Sequence, residues 1–584
     1  MAQMPQNRPV TTTRLARTRL TATAAIAVPV AVMLALGMWR IDRGGMWRDE
    51  AVTYEVGQRS LPQIWHLLHE VDAVHGLYYL LMHGVLTVHA SEVTLRLPSV
   101  VGAAVAAGLV AAIGTRLARP RVGLWAGLLF ACTPMVSHYA QEGRSYALVA
   151  AGAIGATYLL LRALDGGPWW PYGLTLAVTC LLHEFAVLVL LAHGVTLVLC
   201  GAARRAWTRW LASAAAVVLV LAPLAYISNG QSAQVSWLTR PDMERVERLA
   251  HMFIGMYGAV YWTCLLLAVV ALPSRRRLSV ATVAAPLLVV PPAALLLVSQ
   301  ERPMYDDRYV LYALAGAPLL AAAGADRVLR GLSLLARRVA PRAGDAAEVP
   351  PARVDAPTLA LRLDPVPAGA PARADDSDGR GLAVVPQTRP SESSADGPST
   401  GNPPGRPRVR MALRGAVALA GALAIAGSFA FQLPEQRFER TTASRGDDLA
   451  EVGAAAARLM RPGDAVLYLP AISRRSALAY PADFRGTRDM TLDVPGPASG
   501  TLYGTELSPA EVRAKLAGVD RLWVVSQSHA LWRGSRWAPE EPVEKTKLAL
   551  VKDDFVAAVP RQVAVLRGTV IRLYVRKDRG ATGA

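Results

Sequence analysis

Met46-Trp47-Arg48-Asp49-Glu50 places two adjacent carboxylates just beyond the first hydrophobic segment of the chain. An ionised carboxylate beside hydrocarbon loses hydration that only a partner charge, a hydrogen-bond network or a water-filled cavity replaces. The pair therefore marks either a site or a solvated loop whose acids pair with Arg43 or Arg48, and the stretch alone leaves both open.

What surrounds it is mostly hydrocarbon. Of 584 residues, 53% are hydrophobic, concentrated in long Ala/Val/Leu runs rather than scattered core positions. That is the pattern of a polytopic α-helical membrane protein. The formal charge of +18 sits in short Arg clusters between apolar runs and in one long loop, a positive-inside distribution that excludes nucleic acid as the partner. Cys132, Cys180, Cys200 and Cys264 lie in or beside apolar segments without metal-ligand spacing and read as packing residues. Residues 1–20 carry Arg14, Arg17 and Arg19 ahead of an apolar run at 22–39 that lacks a clean small-x-small cleavage site. They read as the cytoplasmic end of an uncleaved signal anchor in the cell membrane.

Working outward, residues 60–68 read as an interfacial helix with Ser60 as N-cap. The run 75–88 carries His75 and His83, is shorter than the roughly 20 residues a crossing needs, and is placed in the outer interface as well. Counting apolar runs gives about 11 spans, with Arg clusters between them falling inside and carboxylate-rich loops outside. A membrane region at 21–325 and a last span at 411–433 flank residues 326–410, whose Pro/Ala/Gly/Ser/Asp/Arg composition predicts a disordered cytoplasmic loop. Residues 434–584 read as an extracytoplasmic α/β domain. It has a helix at 448–460, a strand at 465–469, a capping box at Ser508-Pro509-Ala510-Glu511, a strand at 521–525 and a terminal pair at 562–566 and 570–575. It shows no phosphate loop, metal cluster or nucleophile motif, which leaves it a structural or acceptor-recognition role.

Outer-side polar clusters then converge in the sequence map: Asp49/Glu50, His75, Gln141-Glu142-Gly143-Arg144, His183-Glu184, and Tyr305-Asp306-Asp307-Arg308-Tyr309. Acids and cations meeting at a membrane edge suit a reaction between a water-side nucleophile and a lipid-borne phosphate. A carboxylate can deprotonate an acceptor hydroxyl, and an arginine can bind the phosphate and stabilise its growing charge. Each residue also has a plainer reading: Arg144 capping Glu142, Asp306 or Asp307 neutralising Arg308, His183 satisfied at a tight turn. His66 and His69, spaced i and i+3, have no third ligand nearby, and no metal or other cofactor is expected, although Asp49 with Glu142 could hold a divalent cation.

The order of these motifs resembles a known family. Asp-Glu after the first span, His-x-x-x-Tyr from His75, Leu95-Arg96-Leu97-Pro98-Ser99, Gln141-Glu142-x-Arg144-x-Tyr146 and the late Arg308-Tyr309 resemble the GT-C membrane glycosyltransferases, and within them the protein-mannosyltransferase-like bacterial enzymes. The resemblance implies inverting transfer of a sugar, mannose in that branch, from a polyprenyl-phosphate donor to an extracytoplasmic protein, polysaccharide or glycolipid acceptor. It implies Asp49 as general base supported by Glu50, Arg308 with Tyr309 and Arg144 on the donor phosphate, and His75, Glu142 and His183 on substrate. One departure is His75-Gly76-Leu77, where the family often has His-Pro-Pro. The alternative class is a lipid-linked-sugar flippase or transporter, but the polar residues crowd one face and no matching halves are seen.

Overall fold

The structure, a computed structural model, describes residues 10–232, 237–273, 277–339, 406–527, 542–558 and 563–577. Met1–Gly331 and Val417–Ala584 pack as one compact unit, and Leu332–Ala416 form a second. Helices dominate because an apolar run out of reach of water must satisfy its backbone internally. Among the described residues, six helices are long and apolar enough to cross a membrane: Leu20–Met38, Glu92–Leu117, Tyr146–Leu164, Arg204–Gly230, Val280–Val298 and Asp307–Leu335. The pair Met243–Ile254 and Gly258–Ala271, bent by 80°, makes a seventh if taken as one span. Shorter apolar helices cover Ala73–Val88, Pro120–Cys132, Trp170–Leu182, Glu184–Leu199 and Ala416–Phe431. The count of about 11 thus includes helices that fall short of a full crossing length.

The helix Glu92–Leu117 lies at the centre, packed against the first helix, Pro120–Cys132 and Tyr146–Leu164. Many of its buried positions are small, among them Ala103, Ala104, Ala106, Ala107 and Ala111. Small residues let helix backbones approach where lipid supplies no hydrophobic drive. A Cβ on Gly123 would sit 2.2 Å from the Ala111 carbonyl oxygen, and one on Gly102 would sit 3.0 Å from the Ala147 backbone. Both crossings need glycine at the contact.

The stretch read as a disordered loop from 326 is corrected at both ends. Helix Gly316–Val339 runs past it and helix Arg406–Phe431 begins before it closes, while residues 340–405 lie outside the described residues. The Leu/Ala/Arg-rich run after Arg327 favours helix, and Arg330 pairs with Asp326 one turn earlier at 2.8 Å.

Past Phe431 the chain folds on a six-stranded sheet: β1 (Ala465–Leu469), β2 (Arg488–Asp489), β3 (Arg521–Gln527), β4 (Phe555–Ala557), β5 (Val563–Leu566) and β6 (Thr569–Arg576). The order is β2-β1-β3-β6-β4, with β5 also on β6. The first three strands are parallel and β6 is antiparallel to β3. Every residue of β1 is buried, as expected of a strand covered on both faces. Asp448 caps helix Leu449–Leu459, and Ser508 with Glu511 forms the reciprocal box that opens Pro509–Leu516. Gln562, read as the start of the terminal pair, lies outside the described residues.

Candidate active site

Asp49 and Glu50 both lie in the first turn of helix Arg48–Gly57, where the unpaired amides of a helix N-terminus favour negative charge. One turn of helix sends their carboxylates to different places. Asp49 accepts from Arg308 Nη1 at 2.9 Å. Arg308 begins a 3₁₀ turn, Asp307–Ala315, that leads into helix Gly316–Val339. Its guanidinium also lies 3.4 Å from Asp306 and within 5.9 Å of the ring centres of Trp47, Tyr146 and Tyr309. Burial pushes the Asp49 carboxyl up, but Arg308, Arg144 and Arg48 more than offset that and hold it below the usual carboxylate range.

Glu50 points into the protein and is fully buried. Arg96 Nε and Nη2 each donate to it at 2.8 Å, the Gly143 amide donates at 2.9 Å, and Arg445 Nη1 donates at 2.5 Å. Burial raises the carboxyl, and Arg445, Arg96 and these hydrogen bonds pull it down to about 2. Arg96 also donates to the carbonyls of Ile41 at 2.8 Å and Gly44 at 3.2 Å. Glu50 is thus the knot that fixes the first loop.

Arg445 brings the C-terminal region into that knot, and three further bonds reinforce it. The Met46 amide donates to Tyr480 Oη at 2.8 Å, Leu449 donates to the Met46 carbonyl at 3.0 Å, and the Arg48 amide donates to Asp447 at 3.0 Å. Asp447 is itself paired with Arg475 at 3.1 Å.

Asp49 faces a cavity of about 790 Å³ whose walls also carry Asp72, His75, Arg144, His183 and Arg308. Arg144 Nη2 donates to His75 Nε2 at 2.8 Å and Nη1 donates to Thr53 Oγ1 at 3.3 Å. Accepting at Nε2 makes His75 a neutral ring with its proton on Nδ1. Burial, then Arg144, His183 and Arg308, keep His75 well below its ordinary value. His183 falls to about 3 through burial, Arg308 and Arg144. Buried and without a hydrogen-bond partner among the described residues are His75 Nδ1, His183 Nδ1 and Arg144 Nε.

No family model and no curated protein sequence matches the chain. Among solved structures, ArnT from Cupriavidus metallidurans superimposes with a TM-score of 0.54, covering 94% of this chain and 98% of its own at 12% identity, both in the apo state and bound to undecaprenyl phosphate. The chain has the fold of ArnT. A weaker likeness, TM-score 0.42 at 10% identity over 96% of this chain and 74% of the other, to archaeal oligosaccharyltransferase AglB from Archaeoglobus fulgidus is too distant to argue from.

In this fold the motif residues hold one another. Ser99 donates to the carbonyls of Glu142 at 2.6 Å and Arg144 at 3.0 Å, and Gln141 donates to those of Gly37 and Trp39, both at 2.8 Å. Of the residues read as a site, Asp49, His75, Arg144, His183, Arg308 and Tyr309 line the cavity. Two of the expected site residues do not. Glu50 is enclosed by Arg96 and Arg445, and Glu142 faces His138 at 3.6 Å. Among the described residues no three His, Cys, Asp or Glu side chains group as metal ligands. Asp307, weighed as a partner of Arg308, instead pairs with Arg248 at 2.7 Å.

Sequence reasoning passed over Asp72, Tyr146 as a wall residue, and the trio Ile472, Leu502 and Tyr503 from the C-terminal region. Asp72 carried one signal, an acid three residues before His75. It holds a left-handed backbone at φ 61°, uncommon for a residue other than glycine, and accepts from Tyr79 at 2.7 Å.

Proposed function

We propose that the protein is an inverting glycosyltransferase that moves a sugar, mannose by the protein-mannosyltransferase-like resemblance, from a polyprenyl-phosphate donor to an extracytoplasmic acceptor. The observation that carries this reading is a carboxylate and a guanidinium 2.9 Å apart in the wall of a 790 Å³ cavity, at the end of a bundle of apolar helices. The ArnT fold, seen with undecaprenyl phosphate bound, supports it. In the topology that goes with it, the six long helices, the bent pair and the shorter apolar helices other than Ala73–Val88 supply about 11 crossings of the cell membrane. The N-terminus and the segment between the last two crossings are cytoplasmic, and 434–584 stand outside.

In the free protein Arg308 holds Asp49 as a weak base. A donor phosphate offers Arg308 a bidentate partner of higher charge. As Arg308 turns to it, assisted by Arg144 and Tyr309, the Asp49 carboxylate loses its counter-ion and gains basicity. It then takes the proton from an acceptor hydroxyl, whose oxygen attacks the anomeric carbon opposite the phosphate. The C–O bond to phosphate breaks, and polyprenyl phosphate leaves with its charge on the arginines. His75 and His183 serve as neutral hydrogen-bonding rings. The arginines supply the charge compensation, so the reading assigns no metal or organic cofactor.

A pH dependence follows. With Asp49 held below its ordinary value in the free protein, kcat/KM keeps its plateau to below about pH 4 on the acid side and declines only there. In the donor complex Arg308 is engaged elsewhere, so the acid limb of kcat lies at higher pH. Profiles at limiting and saturating donor compare the two limbs, and a kcat limb at the same or lower pH contradicts the exchange of partners.

The function is tested with the full-length protein in proteoliposomes, given radiolabelled polyprenyl-phosphate mannose and a membrane and cell-wall extract. Label in an acceptor fraction is the expected result. Label that crosses the bilayer still on its lipid would establish a flippase and end the transferase reading.

A further inference from the structure

The C-terminal region reaches the cavity through a short tongue, Gly500-Thr501-Leu502-Tyr503-Gly504. Both glycines hold left-handed backbone, φ 71° and 84°, which side-chain-bearing residues rarely adopt, so the three residues between them project as a tight loop. The tongue is pinned from both sides. Arg59, buried, donates through Nη2 to the Thr501 carbonyl at 2.9 Å and the Leu502 carbonyl at 3.3 Å, while Arg474 Nη1 donates to the Tyr503 carbonyl at 2.7 Å. Thr501 Oγ1 closes the loop by accepting from the Gly504 amide at 3.0 Å. This is a fixed wall, with Leu502 seated against Val56, Ile64, Leu67 and Tyr79.

What the wall presents is specific. Tyr503, Leu502 and Ile472 line the same cavity as Asp49 and Asp72, and the Tyr503 hydroxyl makes no hydrogen bond among the described residues. Burial pushes that hydroxyl up; Arg475 opposes this, and Asp72, Asp49 and Glu55 push the same way, so carboxylates crowd this side of the cavity. The two arginines that grip the tongue are already occupied, Arg59 by Glu55 at 2.8 Å and Arg474 by Asp489 at 2.6 Å. An anionic acceptor at the tongue would therefore meet Asp49 and Asp72; the cavity's other arginines, Arg144, Arg302 and Arg308, include the pair assigned to the donor phosphate. A neutral sugar suits the wall: its C–H face stacks on an aromatic ring, and its hydroxyls donate to carboxylates and to a phenol oxygen.

Resting on the glycosyltransferase reading, we infer that the tongue at 501–503 is the acceptor-binding wall of the cavity and that Tyr503 is the residue that selects a neutral carbohydrate acceptor. The C-terminal region then contributes specificity, while the donor is held by Arg308 and Arg144 on the helical side.

The test uses the full-length protein in lipid nanodiscs and separate titrations with octyl α-mannobioside, octyl glucuronide, a Ser/Thr-rich peptide and undecaprenyl phosphate. Wild type binds the mannobioside in preference to the glucuronide and the peptide. Tyr503→Ala weakens mannobioside binding about tenfold or more, Tyr503→Phe retains most of it through the ring, and undecaprenyl phosphate binds all three proteins alike. Equal mannobioside binding by Tyr503→Ala overturns the inference, as does a wild-type preference for the anionic or peptide ligand, absence of glycoside binding, or loss of lipid binding in Tyr503→Ala. If wild type holds the mannobioside at Tyr503 and ignores undecaprenyl phosphate, the acceptor wall stands and the donor reading fails.

Discussion

Replacing Asp49 by Asn lowers sugar transfer by about 100- to 10,000-fold, the usual contribution of a positioned general base, with little loss of stability. Both halves of that expectation come from placement. The Asp49 side chain is 20% exposed on the cavity wall and pairs with Arg308, also at the cavity. Asn keeps the shape and a carbonyl oxygen for Arg308 but cannot take a proton. Transfer from radiolabelled polyprenyl-phosphate mannose, run beside a thermal unfolding curve, checks both. Transfer within a few-fold of wild type would remove Asp49 from the chemistry.

Glu50, its neighbour, behaves in the opposite sense. Glu50→Gln removes the charge that Arg96 and Arg445 share inside the protein, leaving two guanidinium groups at a buried position with no carboxylate. Breaking a buried pair from one side costs about 3–5 kcal/mol, a large share of the stability of an ordinary domain. Chemical unfolding in detergent measures it. Arg445→Met should cost less, because Arg96 still holds both Glu50 oxygens. An unfolding midpoint for Glu50→Gln equal to that of wild type would contradict the assignment of Glu50 as the knot of the first loop.

That contrast shows how far the sequence could be read. The acidic pair marked a loop that brings Asp49 to the cavity, and Arg308 and Arg144, legible as cations beyond apolar helices, line the same cavity. Which acid does what was not legible, because Glu50 is claimed by Arg96, 46 residues on, and by Arg445, 395 residues on, and such partnerships exist only once helices and sheet are packed. Glu142 was misplaced for the same reason, drawn to His138 by the turn that Ser99 holds. In the fold, apolar runs gave the helix positions but not every helix end, since composition does not say that Thr133-Pro134 interrupts a helix. The C-terminal strands were readable from alternation and turn signals. Its tongue was not: Tyr503 sits in an ordinary loop sequence, and only two left-handed glycines and the carbonyl grips of Arg59 and Arg474 aim it at the cavity.

The central claim is that Arg308 trades Asp49 for the phosphate of a polyprenyl lipid, and undecaprenyl phosphate binding to three proteins measures it most directly. The account predicts that wild type binds, that Arg308→Gln binds about tenfold or more weakly, and that Asp49→Asn binds at least as tightly as wild type because the competing carboxylate is gone. Arg308→Gln binding the lipid as well as wild type would contradict it.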